Sequence, residues 1–143
     1  MLKKRYEDGS EPIRIRAHHI LCMQGFQGLG YSEEFTRNMT LITTKIQNNP
    51  SFLVKVVTEA DSICQYCPHL QQGLCNIGKD SEESIRAMDL SALKALDIES
   101  GSLFLSAQIK VLTDNLSSKA IKTICGGCGW RKDCLYFQKK CSL

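Results

Sequence analysis

Between residues 33 and 47 the apolar positions recur with helical spacing: Phe35, Met39, Ile42 and Ile46 stand at i, i+4, i+7 and i+11 and share one face. Ser32 is placed to cap that helix, and Asn48-Asn49-Pro50 stops it. Upstream, Ile13-Arg14-Ile15-Arg16 alternates as a short strand does, and His18 to about Gln27 reads as a helix ended by Gly25, Gly28 and Gly30. The valine-rich run from Phe52 to Thr58, with Lys55 facing outward, predicts a second strand. Further on, Asp80 with Glu83 forms a capping-box-like start, and short helices are expected near 81–88 and 91–97. Gly101 breaks the run, Ser102 is expected to open a longer helix to about Leu116, and Ser117 or Ser118 caps a last helix that runs into a cysteine-rich stretch.

These elements add up to a mainly α fold with a small β component, an α+β arrangement of short helices with two cysteine-rich loops. No Ser, Gly or Pro tract divides the chain, so residues 1–143 are read as one domain, with 1–12 as a loose leading segment. A chain of 143 residues can bury a real core, so cross-links are not required for folding. The opening residues, MLKKRYEDGSEP, carry no apolar run behind their basic residues, and no apolar stretch approaches the roughly 20 residues that span a bilayer. A cytoplasmic, membrane-free protein is therefore expected. In that reducing compartment the eight cysteines call for metal or redox chemistry sooner than for disulfides.

Six of the eight fall into two similar clusters. The first, Cys64-Gln-Tyr-Cys67 through to Cys75, has the spacing C-x2-C-x7-C; the second, Cys125-Gly-Gly-Cys128 through to Cys134, has C-x2-C-x5-C. Cys22 and Cys141 are left over, and His18, His19 and His69 are the only histidines. A CxxC turn aims two thiolates at one point and suits a centre that takes tetrahedral sulfur. Each triplet is one ligand short of four. Cys22 could complete the first and Cys141 the second, or the clusters could share one site. On a helix, His18 and Cys22 stand at i and i+4 and can present together, whereas His18 and His19 point about 100° apart, so at most one of them easily faces a given site. Structural zinc is the plainer use of paired CxxC knuckles. An iron-sulfur cluster tolerates the long, unequal third spacings and the proline beside Cys67. A catalytic dithiol lacks its βαβ context.

The string RAHHILCMQGFQGLGYSEEFTRNM, the C-x2-C-x7-C cluster and ICGGCGWRKDC together resemble the DUF1284 family of bacteria and archaea, over about Ile13 to Cys134. Members are described as iron-sulfur binding proteins on the strength of their cysteines. The resemblance implies cofactor or metal binding at Cys22, Cys64, Cys67, Cys75, Cys125, Cys128 and Cys134, with His18 and His19 as lesser candidates; Cys141 lies outside the pattern.

Charge and the remaining motifs change the picture little. Lys119, Lys122, Arg131, Lys132, Lys139 and Lys140 face a single acid, Asp133, at the C-terminal end, while residues 80–100 are acidic. The basic end lacks the interleaved aromatics of a nucleic-acid platform, and a solvated face is the simpler reading. GFQGLG lacks the Lys-Ser/Thr ending of a phosphate loop, and its glycines fit a tight turn between helices. Trp130, beside Cys128, could shield a cluster or serve as a core aromatic. No paired carboxylates and no Ser-His-Asp arrangement can be placed, so catalysis is not indicated. The expectation is an iron-sulfur protein binding one cluster through cysteines of both segments, for electron transfer or redox sensing with a partner protein. The alternatives are a structural zinc module whose basic end meets an acidic partner or nucleic acid, and a thiol redox protein.

Overall fold

The alternating run Ile13–Arg16 forms strand β1, which lies parallel to β2 (Leu53–Val57) with Ile13 opposite Val54 and Arg16 opposite Val57. The computed structural model describes residues 12–76, 81–125 and 133–141 of the chain. Two helices connect the parallel pair, α1 (Ala17–Gly25) and α2 (Glu33–Asn48). In α2 the Ser32 hydroxyl accepts the Phe35 N–H at 3.1 Å, and Met39, Ile42 and Ile46 are buried, as the periodicity requires. Lys55 is the exposed position of β2, as expected.

A short hairpin, β3 (Leu70–Gln71) and β4 (Leu74–Cys75), lies inside the first cysteine cluster and has no counterpart in the sequence reading. Its two-residue loop, Gln72-Gly73, takes positive φ at both positions (51° and 77°), the turn whose twist matches antiparallel strands. Then come α3 (Ser81–Leu96), β5 (Leu103–Leu105), α4 (Ser106–Asp114), α5 (Ser118–Cys125) and α6 (Leu135–Cys141). The sheet order is β1-β2-β5, with β5 antiparallel to β2. Ile15, Val54, Val56, Ile20, Leu21, Ile109 and Ile121 form the centre of the core between sheet and helices.

Two expected elements are corrected. The two short helices near 81–88 and 91–97 are one continuous helix, because Asp89, which breaks the apolar pattern, is a fully buried acceptor on its inner face and not an end. The helix expected to open at Ser102 opens at Ser106 instead. Residues 103–105 pair with β2, the Val56 N–H donates to the Ser102 carbonyl at 3.0 Å, and the Leu105 N–H is taken by Gln108 Oε1 at 2.8 Å. A short apolar run is ambiguous between helix and strand, and the open edge of β2 decides it here. Ser117 does cap the next helix, accepting the Ala120 N–H at 3.1 Å. Asp80, from the expected capping box, lies outside the described residues.

Gly25, at the end of α1, lets α6 approach. A Cβ there would fall against the Cys134 sulfur, 2.6 Å from the Tyr136 nitrogen and 2.9 Å from the Leu135 nitrogen. Gly25→Ala is expected to cost about 1–3 kcal/mol through overpacking against backbone, outweighing the roughly 1 kcal/mol that alanine gains in a helix. Chemical denaturation checks this, and an unchanged midpoint would show that α6 yields freely.

Candidate metal centre

The junction of β1 and α1 carries the most densely bonded polar residues of the fold. Arg16 ends the strand and sits at the N-cap of α1, yet its own side chain does not cap the helix. Two distant carboxylates do: Asp61 Oδ2 accepts the Arg16 N–H at 2.6 Å, and Asp89 Oδ1 accepts the His18 N–H at 3.0 Å. The guanidinium, 1% exposed, donates through Nε to Asp89 at 2.8 Å, through its two terminal nitrogens to Glu82 at 3.3 and 3.0 Å, and to the Thr58 carbonyl at 3.2 Å.

Each histidine of the pair leans on one of these carboxylates, His18 Nδ1 on Asp89 at 2.7 Å and His19 Nδ1 on Asp61 at 2.8 Å, with ring centroids 4.4 Å apart. Burial pulls the His18 pKa below its ordinary value, so the ring is neutral and its Nδ1–H donates to Asp89. Burial works to raise both carboxyls, but the donors around them win. His19 and the N–H groups of Arg16 and Cys64 hold Asp61 well below the usual carboxylate range, and His18 and Arg16 do the same for Asp89.

His18, His19 and Cys22 of α1 line a cavity of about 270 Å³ together with Cys125, the last residue of α5, and Cys134, just ahead of α6. Phe26, Phe35, Met39, Met88 and Phe137 give it an apolar wall. Both histidines therefore face one cavity, against the expectation that only one easily could, because a separate buried carboxylate orients each ring. Cys134 Sγ accepts the Phe137 N–H at 3.4 Å. Tyr136 donates its hydroxyl to the Thr113 carbonyl at 2.7 Å, and burial, with the charges of Cys125, Asp114, Cys134 and Cys141 nearby, raises its pKa so that the phenol stays protonated. Cys141 is at this end of the fold as well, its thiol 3.8 Å from the Ser118 carbonyl, but it does not line the cavity. Cys128 and Trp130 lie outside the described residues.

The first triplet does not line this cavity, which brings Cys22 together with Cys125 and Cys134, although Ile63 and His19, both beside Cys64, do line it. A 3-10 turn (Cys64–Tyr66) opens on Asp61, whose Oδ1 accepts the Cys64 N–H at 2.9 Å, and the Cys67 N–H donates to the Cys64 carbonyl at 2.9 Å. The hairpin sets Cys75 opposite Leu70, and the Cys75 N–H donates to Glu82 Oε1 at 2.8 Å. Burial and the charge of Asp61 push the Cys64 thiol up to about 12, and burial raises Cys67 too. Among the described residues, one group of three potential ligand atoms lies within 4.8 Å of one another: those of His19, Asp61 and Cys64. His69 instead packs edge-on against Tyr31, centroids 4.8 Å apart.

A family model described as "Protein of unknown function (DUF1284)" matches residues 30–134, most of the length of the chain. The chain belongs to this family. The matched span of the DUF1284 model takes in both CxxC clusters, while α1 with His18, His19 and Cys22 precedes it and Cys141 follows it. No curated protein and no solved structure matches the chain. Among the described residues, no helix of this DUF1284 protein is long and apolar enough to cross a membrane.

Sequence reasoning found the cysteines and the histidine pair of this DUF1284 chain but missed Arg16, Asp61, Glu82 and Asp89. Two signals were present. Asp61 stands three residues ahead of Cys64, the spacing of a side-chain cap, and Asp89 interrupts the inner face of α3 between Ile85, Ala92 and Leu96. The basic end is spread over α5 and α6, where Lys140 donates to the Asp114 carbonyl at 2.9 Å; Arg131 and Lys132 lie outside the described residues.

The shifted groups set the pH response of the folded chain. The folded state keeps His18 neutral, so its contribution is whole above about pH 6.5 and declines as the pH falls below it. Asp61 and Asp89 have depressed pKa values, so their contribution is present above about pH 3.9 and is lost as the pH falls through the folded values. Urea midpoints should fall gently from about pH 7 to 5 and steeply below about 4. A midpoint unchanged from about pH 8 to 5 would contradict a neutral His18.

Proposed function

We propose that this protein binds an iron-sulfur cluster in the cavity between α1 and the α5–α6 end, with Cys22, Cys125 and Cys134 as ligands and Cys128 as the CxxC partner of Cys125. One observation carries this reading: thiols from three segments, more than a hundred residues apart at the extremes, line a single apolar-walled cavity. The donor set fits the group, since clusters are held by thiolates and are tuned by N–H donors to sulfur and by exclusion of water. A volume of about 270 Å³ also exceeds what one ion with four direct ligands at about 2.3 Å would need.

When bound, the cluster supplies one-electron transfer, for exchange with a partner protein or for redox sensing. The chain's own residues set the environment. The Phe137 N–H donates to Cys134 Sγ and favours its thiolate, and Phe26, Phe35 and Met39 keep water from the sulfurs. His18 and His19, each fixed through Nδ1, turn their remaining edges to the cavity wall. Tyr136, bonded to Thr113, closes the α6 side without offering a competing anion.

Anaerobic purification, or reconstitution with iron and sulfide, tests the reading. Coloured protein containing iron and acid-labile sulfide in equal amounts is expected. Colourless protein that holds zinc, takes up no iron and resists reconstitution would reject it.

A further inference from the structure

The carboxylate of Asp61 receives three hydrogen bonds, one of them at His19, which also lines the cavity. Its Oδ2 takes the Arg16 N–H and faces His19 Nδ1, while its Oδ1 takes the Cys64 N–H. The side chain is fully buried, and the neighbouring guanidinium of Arg16 is engaged by Asp89 and Glu82. Three carboxylates, Asp61, Asp89 and Glu82, thus converge on the β1–α1 junction around one buried guanidinium, with Arg86 reaching Glu82 only from the surface at 3.9 Å. The junction has an excess of negative charge, and its nitrogen, oxygen and sulfur donor atoms lie within 4.8 Å of one another at His19, Asp61 and Cys64.

We infer that His19, Asp61 and Cys64 bind a single divalent ion of the zinc class, at a site that adjoins the cluster cavity through His19 but uses none of its cysteines. The donor set is the argument for zinc, which takes imidazole, carboxylate and thiolate together in tetrahedral sites, whereas calcium and magnesium demand oxygen. Charge balances as well: the ion's two positive charges meet one carboxylate and one thiolate. On binding, the ion takes the place of the His19 ring hydrogen now directed at Asp61, while the Arg16 and Cys64 N–H groups keep their bonds to the carboxylate. The Cys64 thiol releases one proton to solvent, and a neutral His19 ligates through one ring nitrogen while keeping its proton on the other. Cys67, the second thiol of the same turn, is the candidate for the fourth position.

Cobalt(II), a spectroscopic stand-in for zinc, tests the inference on the full chain carrying Cys22→Ser and Cys134→Ser, which disable the cluster cavity as a competing thiolate site. The expected result is one equivalent bound, with a thiolate-to-cobalt charge-transfer band. On that background the band should be lost on adding Cys64→Ser and be weakened more than about tenfold in apparent affinity on adding His19→Gln. The glutamine retains a hydrogen-bond donor for Asp61, and far-UV circular dichroism confirms that each variant is folded. Absence of a band in the double variant, or its survival after Cys64→Ser or at undiminished affinity after His19→Gln, would overturn the assignment. The double variant removes two of the proposed cluster ligands, so failure of the cluster reading leaves this test intact.

Discussion

Arg16→Met lowers the stability of the folded chain by about 3–5 kcal/mol, the cost of leaving buried carboxylates without their counter-charge. Methionine keeps the length and the apolar stem of arginine but none of its donors. Asp89, which is fully buried, then loses the Nε–H at 2.8 Å, and Glu82 loses both of its guanidinium bonds. At an ordinary denaturant dependence this is a fall of about 1 M or more in the urea midpoint. Adding Asp89→Asn should recover part of the loss, because it removes the charge that the first change strands, so the two effects do not sum. A loss below about 1 kcal/mol for Arg16→Met would mean that water reaches the network and that its burial has little energetic weight.

The largest functional effect is expected at Cys22. Cys22→Ser and Cys134→Ser should each leave reconstituted protein with almost none of the parent's iron and visible absorption, because serine is a poor thiolate substitute at a soft metal site. Cys75→Ser, by contrast, should keep both, since Cys75 pairs with Leu70 in the hairpin and does not line the cavity. The comparison is made on iron and sulfide content per chain after identical reconstitution. Equal loss in all three variants would return the chain to a single site shared by the two clusters, and full retention in Cys22→Ser would remove α1 from the ligand set.

How much of this was legible in the sequence depended on whether a residue's role was local. Helix α2 could be read from Phe35, Met39, Ile42, Ile46 and the Ser32 cap, because periodicity and capping are set within a few residues. Strands β1 and β2 were legible for the same reason. The strand at 103–105 was not, since its identity comes from the free edge of β2 some fifty residues away. Nor was the hairpin inside the first cluster, whose strands are only two residues each. Helix α6, only seven residues long, carries too little periodicity to announce itself. At the candidate site, cysteine spacing singled out the proposed donors, but that Cys22 shares a cavity with Cys125 and Cys134 follows from the packing of α1 against α3 and α6. Asp61 and Asp89 each carry a local signal, but nothing near them in the chain shows that Arg16, 45 and 73 residues earlier, will need them.

The two carboxylates that finish the first turn of α1 come from 45 and 71 residues further along the chain. Until those later segments dock, His18 and His19 have neither a fixed tautomer nor a direction, and Asp61 has no imidazole beside it. On the proposed reading, metal loading is an event of the assembled protein: a chain still emerging from the ribosome, complete only through Cys22, would offer an incoming ion a flexible peptide and no centre.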